Sequence, residues 1–207
     1  MTRSIGITGG IGSGKSRVCG YLAQLCRLPI VDLDVICRQL LEPGAAGWLA
    51  LKENIDQSYF GPAGDLDRTA FRTALFADER LRNRVDALVH PLARVELTRQ
   101  VSGVGGPVLA EIPLLFESGW HGDVQQIVVV YADPSVCRQR IIDRDHVTFE
   151  QAGQAVAAQY PLVDKAMQAH HVIDNSNCWQ DTCLQLRHLA DCLGCRDGFF
   201  SHLYENP

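Results

Sequence analysis

The sequence predicts an α/β protein in which three layers enclose a five-stranded parallel sheet. Five short apolar segments alternate with longer segments whose apolar residues recur at helical spacing. Strands that alternate with helices form parallel sheets with helices on both faces. The gap between the second and third strands is far longer than a crossover connection needs, which predicts a helical insertion over residues 36–104.

Each predicted strand is a short run of apolar residues. The predicted strands are residues 4–8, 29–31, 108–112, 127–131 and 171–174. Helices are predicted to begin at Lys15, close to Asp32 and after Asp133, and the last one carries Trp179, Leu186, Leu189 and Leu193.

Capping residues mark where several helices begin. Asp67, Asp78 and Asp133 are expected N-caps, because a short carboxylate accepts from the first free N–H groups of a helix. Residues 148–151 read Thr-Phe-Glu-Gln, which is a capping-box pattern. Pro91 is expected to end one helix and open the next, since proline is favoured at the first helical position.

Composition excludes several classes of protein. The chain has 207 residues, of which 46% are hydrophobic, and a net charge of −5. A chain of this length buries a core without disulfides or metals. The acidic balance argues against a nucleic-acid partner. The chain has neither a secretory-signal pattern nor an apolar run of about 18 residues. We expect a cytoplasmic protein with no membrane partner, either a monomer or a weak homo-oligomer.

The eight cysteines are expected to be reduced thiols that lie mostly in the core, because most fall at apolar helix positions. Cys192 and Cys195 form a single CxxC motif with His188 and His202 nearby, which leaves zinc binding as an alternative. Zinc sites of this kind normally have a second pair at ligand spacing, and the sequence has none. Packing or helix-end chemistry is the favoured interpretation.

One glycine-rich segment carries the strongest chemical signal. Residues 9–16 read Gly-Gly-Ile-Gly-Ser-Gly-Lys-Ser, which matches G-x-x-x-x-G-K-[ST] between a predicted strand and a predicted helix. Backbone N–H groups and the helix N-terminus in such a loop surround phosphate oxygens. Lys15 is suited to the β- and γ-phosphates, and the Ser16 hydroxyl to Mg²⁺. The sequence therefore predicts nucleotide binding.

Charged residues after other strands are candidates for catalysis. Asp32 and Asp34 follow the second strand, at the edge of the sheet where ligands bind, so one of them could accept a proton from an attacking hydroxyl. Arg140 and Arg144 share a helix face and could stabilise a transferring phosphoryl group. Glu111 could hold Mg²⁺ through water. The alternatives are that the aspartates only cap a helix, that the arginines form a solvated basic face, and that Glu111 is only an exposed residue at a strand end.

Together these motifs resemble the dephospho-CoA kinase family. The resemblance covers residues 3 to 195 in the family's order and spacing, and D-x-D, V-H-P and P-L-L-F-E are its most specific parts. The matching segments are residues 8–16, 32–38, 42–44, 88–91, 112–117, 140–148 and 172–175.

The resemblance implies a P-loop NTPase fold and an enzyme that uses ATP and Mg²⁺ to phosphorylate the ribose 3′-hydroxyl of dephospho-CoA. It implies a nucleotide core at residues 1–35 and 105–207, a helical CoA-binding subdomain at 36–104 and a helical lid at 140–165. The implied catalytic residues are Asp34 as the base, Lys15 and Arg140. The implied ATP-binding residues are Gly10, Ile11, Gly12, Ser13, Gly14, Lys15, Ser16, Arg17 and Arg144, and the implied substrate residues are Asp32, Arg38, His90, Pro91, Leu114, Leu115 and Glu117.

Three other interpretations remain open from the sequence. Another small-molecule P-loop kinase, such as a nucleoside monophosphate kinase or shikimate kinase, shares the loop, the acid and the arginines. A nucleotide-dependent switch is a second alternative, although the chain has no N-K-x-D segment. An inactive homologue is a third, although every key polar position is filled.

Overall fold

The computed structural model describes residues 4–62 and 64–195, apart from the side chain of Phe76. The tail at 196–207, which carries no usable motif, lies outside the described residues. Within them, one five-stranded sheet has the order β2-β3-β1-β4-β5. The strands are β1 (Ser4–Gly9), β2 (Ile30–Asp32), β3 (Val108–Glu111), β4 (Gln126–Tyr131) and β5 (His171–Asp174). The predicted five-stranded parallel sheet is confirmed.

Strand β1 lies at the centre of the sheet. Every residue of β1 is buried, as expected for a parallel strand covered on both faces. It pairs with β3 on one side and β4 on the other, in parallel. Ile7 lies opposite Glu111, so the end of β3 is level with the last residues of β1.

Helices connect these strands. They are α1 (Lys15–Cys26), α2 (Leu33–Leu40), α3 (Ala46–Asn54), α4 (Arg68–Ala77), α5 (Glu79–Gly103), α6 (Pro134–Asp145), α7 (Phe149–Ala157), α8 (Leu162–Met167) and α9 (Trp179–Cys192). The predicted caps are confirmed: Asp67, Asp78 and Asp133 accept from backbone N–H groups of the following turn, and Thr148 and Gln151 form a capping box.

The chain forms two compact units. The sheet unit comprises residues 1–31 and 104–207, and the helical unit comprises residues 32–103. In the sheet unit, α1 packs on α9 and both contribute to a core with β1 and β4. In the helical unit, α5 packs against α2, α3 and α4. Its core contains Leu51, Ile55, Leu66, Phe71, Val85 and Val89.

The expectation that Pro91 separates two helices is wrong. Helix α5 is 25 residues long and contains Pro91 in its interior. The proline removes one backbone donor and crowds the preceding turn. Val85 and Val89 before it, and Ala93 and Leu97 after it, are nevertheless all buried. Packing of this continuous apolar face stabilises the helix across the proline.

The expectation that the cysteines lie mostly in the core is also wrong. Cys19 and Cys137 are buried, whereas Cys178 and Cys192 are exposed, and the remaining four are half-buried. Cys192 lies off the buried stripe that Leu186 and Leu189 form on α9. All eight are free thiols.

Neither a metal cluster nor a membrane span occurs in the described part of the chain. No three His, Cys, Asp or Glu residues among those described are grouped so that they could hold a metal ion. None of the described helices is both long enough and apolar enough to cross a bilayer.

Candidate nucleotide-binding site

The loop between β1 and α1, residues 9–16, is the phosphate loop of the predicted site. Gly12 and Gly14 have φ angles of 79° and 85°. A Cβ atom at Gly12 would lie 2.4 Å from the backbone oxygen of Cys137, and one at Gly14 would lie 2.4 Å from Nδ2 of Asn175. Both the conformation and the close neighbours therefore require glycine.

Two side chains at the start of α1 converge on one carboxylate oxygen. Lys15 Nζ lies 2.8 Å from Glu111 Oε1, and the Ser16 hydroxyl donates to the same oxygen at 2.6 Å. The side chains of Lys15 and Glu111 are only 12% and 7% exposed. Low exposure strengthens their attraction, because little water screens it. The structure thus brings Glu111, which was selected separately from the sequence, to the two phosphate-loop residues Lys15 and Ser16.

These residues fit a nucleotide with Mg²⁺. Hydroxyl and carboxylate oxygens are the ligands that Mg²⁺ prefers, and Ser16 and Glu111 supply one of each at 2.6 Å separation. The ammonium of Lys15 and the N-terminus of α1 both favour an anion at the loop. The predicted roles of Ser16 and Glu111 toward Mg²⁺ remain predictions.

Arg140, on α6, lies against the outer side of the phosphate loop. Its Nη2 donates to the backbone oxygen of Asn175 at 2.8 Å, and Nη1 is 3.4 Å from the backbone oxygens of Gly12 and Ser13. Asn175 donates in turn to the Ser13 oxygen at 2.8 Å and accepts from the Thr182 hydroxyl at 2.9 Å. The positive charge of Arg140 is therefore fixed at the loop. Sequence reasoning gave Asn175 and Thr182 no role in the site.

A segment after α7 contacts the other end of the loop. The Ile11 N–H donates to Gln159 Oε1 at 2.7 Å. Lys165 Nζ lies 2.6 Å from Glu117 Oε1, which also accepts from the Tyr160 N–H at 3.1 Å. Glu117 was selected from the sequence for substrate binding, and that role stays a prediction. Gln159 and Lys165 were not among the predicted site residues.

The other predicted site residues of the sheet unit differ in their exposure to solvent. Arg144 is exposed and pairs with its neighbour Asp145 at 2.7 Å. The Arg17 guanidinium stacks 3.8 Å from the ring centroid of Trp179. Leu115 is completely buried, whereas Leu114 is 39% exposed.

In the helical unit, Asp32 caps α2 and Asp34 lies in its first turn. Asp32 Oδ1 accepts from the N–H groups of Asp34 at 2.8 Å and Val35 at 3.4 Å. Arg38 donates through Nε to the Asp34 backbone oxygen at 3.2 Å. The helix-cap interpretation therefore holds for one oxygen of Asp32, and the roles of Asp32, Asp34 and Arg38 toward substrate remain predictions.

A group of carboxylates surrounds Cys37 on the same helix. Burial, with smaller contributions from the charges of Asp34, Asp32 and Asp86, raises the pKa of the Cys37 thiol to about 11. Asp86 lies on α5, where its Oδ1 is 3.5 Å from Nε2 of His90. The packing of α2 on α5 therefore gathers the predicted substrate residues Asp34 and His90 in one neighbourhood, and Pro91 adjoins His90 on the exposed side of α5.

Comparison with known proteins shows similarity to the dephospho-CoA kinase family. A family model described as dephospho-CoA kinase matches residues 3–181. A dephospho-CoA kinase of Yersinia pseudotuberculosis is 35% identical over 191 residues, covering 92% of this chain and 91% of that protein. A protein of Thermus thermophilus, TT1252, has a crystal structure that matches 95% of this chain and 99% of its own, with a TM-score of 0.79 and 31% identity. The dephospho-CoA kinase of Campylobacter jejuni matches 93% of this chain and 98% of its own with a TM-score of 0.67 at 21% identity, which supports the fold.

Proposed function

The chain belongs to the dephospho-CoA kinase family, and from that premise we propose that it transfers the γ-phosphoryl group of ATP to the ribose 3′-hydroxyl of dephospho-CoA. The products are coenzyme A and ADP. The observation that carries the proposal is the convergence of Lys15 and Ser16 on Glu111, beside a phosphate loop whose conformation requires glycine. That arrangement suits the triphosphate donor, and the family supplies the acceptor.

The phosphate loop binds and orients the donor. N–H groups at the start of α1 and the ammonium of Lys15 attract the β- and γ-phosphates. Mg²⁺, when bound by Ser16 with Glu111 close by, supplies further positive charge to the phosphate oxygens. Glu111 neutralises Lys15 and holds the ammonium at the loop, where a phosphate can replace the carboxylate.

Arg140 adds positive charge at Gly12 and Ser13 of the loop. Its hydrogen bond to the Asn175 oxygen fixes the guanidinium, so little reorganisation is needed when charge shifts during transfer. Arg144, farther along α6 on the proposed lid at 140–165, is proposed as an ATP contact.

Asp34 is proposed as the acceptor of the proton from the 3′-hydroxyl. Its support is the family's D-x-D segment and its place in the first turn of α2. An aspartate is a weak base, but phosphoryl transfer has a loose transition state, in which positioning of the hydroxyl matters more than base strength. Asp32, Arg38, His90 and Pro91 in the proposed CoA-binding subdomain, and Leu114, Leu115 and Glu117 in the sheet unit, are proposed substrate contacts.

An ADP-release assay with alternative acceptors tests this proposal. The purified chain is incubated with ATP, Mg²⁺ and dephospho-CoA, in parallel with AMP, CMP, UMP and shikimate. We expect turnover with dephospho-CoA alone, with coenzyme A identified as the product by mass. Turnover with a nucleoside monophosphate alone would retain the donor site but discard the proposed acceptor.

The Asp34→Asn variant tests the base. We expect kcat to fall by roughly 10²–10⁴-fold, the usual contribution of general-base catalysis, while binding of ATP is unchanged. A wild-type rate in this variant would remove Asp34 from the mechanism.

A further inference from the structure

The Ile11 N–H is a phosphate-loop donor that already has a partner within the protein. It donates to the side-chain oxygen of Gln159 at 2.7 Å, across a sequence separation of 148 residues. A side-chain amide is neutral, so it can accept this bond without repelling a nearby phosphate. Ile11 is also the first residue of the turn that leads into Gly12, where φ is 79°. The bond therefore fixes the loop just before its backbone enters the left-handed region.

The segment that carries Gln159 is held in place by a buried ion pair and a backbone hydrogen bond. Lys165 is completely buried, and its ammonium lies 2.6 Å from Glu117 Oε1. The same oxygen accepts from the Tyr160 N–H at 3.1 Å, which fixes the backbone next to Gln159. Lysines are almost never fully buried without a partner, so a buried pair holds its segment in one place.

Close packing adds a second contact between this segment and the loop. A Cβ atom at Gly10 would lie only 3.2 Å from side-chain carbons of Leu162. Gly10, Ile11, Gln159 and Leu162 together line part of an apolar cavity of about 410 Å³. The segment at 159–165 therefore forms a wall directly beside the first half of the phosphate loop.

We propose that Gln159 is a positioning residue for the phosphate loop, held in place by the buried Lys165–Glu117 pair. Its oxygen fixes the Ile11 N–H, and the amides that follow are thereby oriented toward the nucleotide. This inference rests on the proposed function only in taking the loop's ligand to be ATP. The bond to Ile11 itself can be tested without any nucleotide.

Amide hydrogen exchange tests the bond directly. Glycine labelled with ¹³C at the carbonyl and isoleucine labelled with ¹⁵N select the two Gly–Ile pairs of the chain, Gly6–Ile7 and Gly10–Ile11. Ile7 is completely buried in β1 and serves as the internal reference. In Gln159→Met, which keeps the volume but loses the acceptor, we expect the Ile11 amide to exchange at least about tenfold faster, with Ile7 unchanged.

Titration with Mg·ATP then tests the consequence for binding. Loss of one hydrogen bond predicts a Kd about threefold to tenfold higher in Gln159→Met. In turnover, KM for ATP should rise by the same factor, while KM for dephospho-CoA stays constant. A residue that merely stabilised the fold would not produce this split.

Gln159→Glu separates positioning from charge and serves as a second variant if Gln159→Met does not fold. Its carboxylate still accepts from Ile11, so slow exchange is retained, whereas its negative charge weakens ATP binding. Gln168→Met is the matched control, because Gln168 is exposed and its side chain donates to the backbone oxygen of Asp164 in α8. We expect the control to match the wild type in both measurements.

Two results would overturn the proposal. One is wild-type protection of the Ile11 amide in Gln159→Met, and the other is an ATP Kd within error of the wild type despite lost protection. Failure of the wild type itself to bind ATP would instead count against the proposed function, and the exchange measurement would still decide the role of Gln159.

Discussion

Two lysine–carboxylate pairs of the sheet unit are shielded from water, whereas an arginine–glutamate pair of the helical unit is exposed. In the described part of the sheet unit, Lys15 and Lys165 each face a carboxylate at 2.8 Å or less, with little exposure to water. In the helical unit, Arg99 pairs with Glu96 at 2.7 Å, but the arginine side chain is 70% exposed. The lengths of the pairs are alike and their surroundings are not.

Buried and exposed ion pairs differ in how strongly they fix the positions of their side chains, rather than in how much they stabilise the fold. A buried ion pair gains little net stability but strictly fixes its partners, because leaving either charge unpaired is costly. An exposed pair is screened by water and constrains little. The sheet unit therefore uses charge to position the groups beside the phosphate loop, whereas the helical unit is held by its apolar core and helix caps.

For these ion pairs, the largest effect on catalysis is expected at Lys15. Lys15→Gln removes the charge beside the phosphates but leaves a donor for Glu111. We expect kcat to fall by at least roughly 10²–10³-fold, the usual cost of losing one preorganised electrostatic contact. Steady-state kinetics measures the loss, and the exposed Arg187→Gln on α9 is the control. Equal losses in the two variants would mean that net charge, rather than position, matters.

The next largest effect is on stability, at the second buried pair. Lys165→Met leaves Glu117 without its counter-charge, so we expect the free energy of unfolding to fall by about 3–5 kcal/mol. Urea denaturation measures it. The double variant Lys165→Met with Glu117→Gln should recover part of the loss, because no charge is then stranded. A single variant as stable as the wild type would show that water reaches the pair.

A smaller effect concerns Cys37 in the helical unit. Burial and the carboxylates Asp34, Asp32 and Asp86 raise its pKa from 9.0 to about 11. Below pH 9 its thiolate fraction is then about a hundredfold lower than that of an ordinary cysteine, since the thiolate fraction falls tenfold for each unit by which the pKa rises. Iodoacetamide should therefore alkylate Cys37 at least about tenfold more slowly in the folded chain than in urea, since the greater nucleophilicity of a thiolate of high pKa offsets part of the loss. Peptide mass mapping measures both rates, and equal rates would contradict the raised pKa.

The smallest effect is expected at the exposed pair. Arg99 and Gln100 donate to Glu96 and lower the pKa of its carboxyl to about 2. Arg99→Ala should nevertheless leave the urea midpoint unchanged, because water screens both groups. A loss comparable to that of Lys165→Met would erase the contrast between the units.

Features that depend on neighbouring residues were predictable from the sequence. The caps at Asp32 and Asp67 need only the N–H groups two and three residues onward, and both are present. The phosphate loop is likewise a local pattern. Glu111 was selected because parallel strands end at the same edge of the sheet, which is a rule of topology rather than of sequence.

Features that depend on distant residues were not predictable. Pro91 has a local meaning as a helix breaker, but the buried face of α5 overrides it. The Gln159 contact with Ile11 joins residues 148 apart. The pairing of Lys165 with Glu117 depends on how α8 is placed, and this six-residue helix was not predicted. Such contacts appear only when the sheet is assembled.

The position of β1 at the centre of the sheet has a consequence during synthesis. Its two neighbours, β3 and β4, begin at Val108 and Gln126. At roughly 5–20 residues per second, a ribosome takes roughly 5–20 s to pass from the end of β1 to the start of β3. The partners of the loop at Cys137, Gln159 and Asn175 emerge later still, after every residue of the helical unit. The phosphate loop precedes all of these partners in the chain, so it completes its contacts only after residue 175 has been made, and we expect the nascent chain to bind nucleotide only from that point.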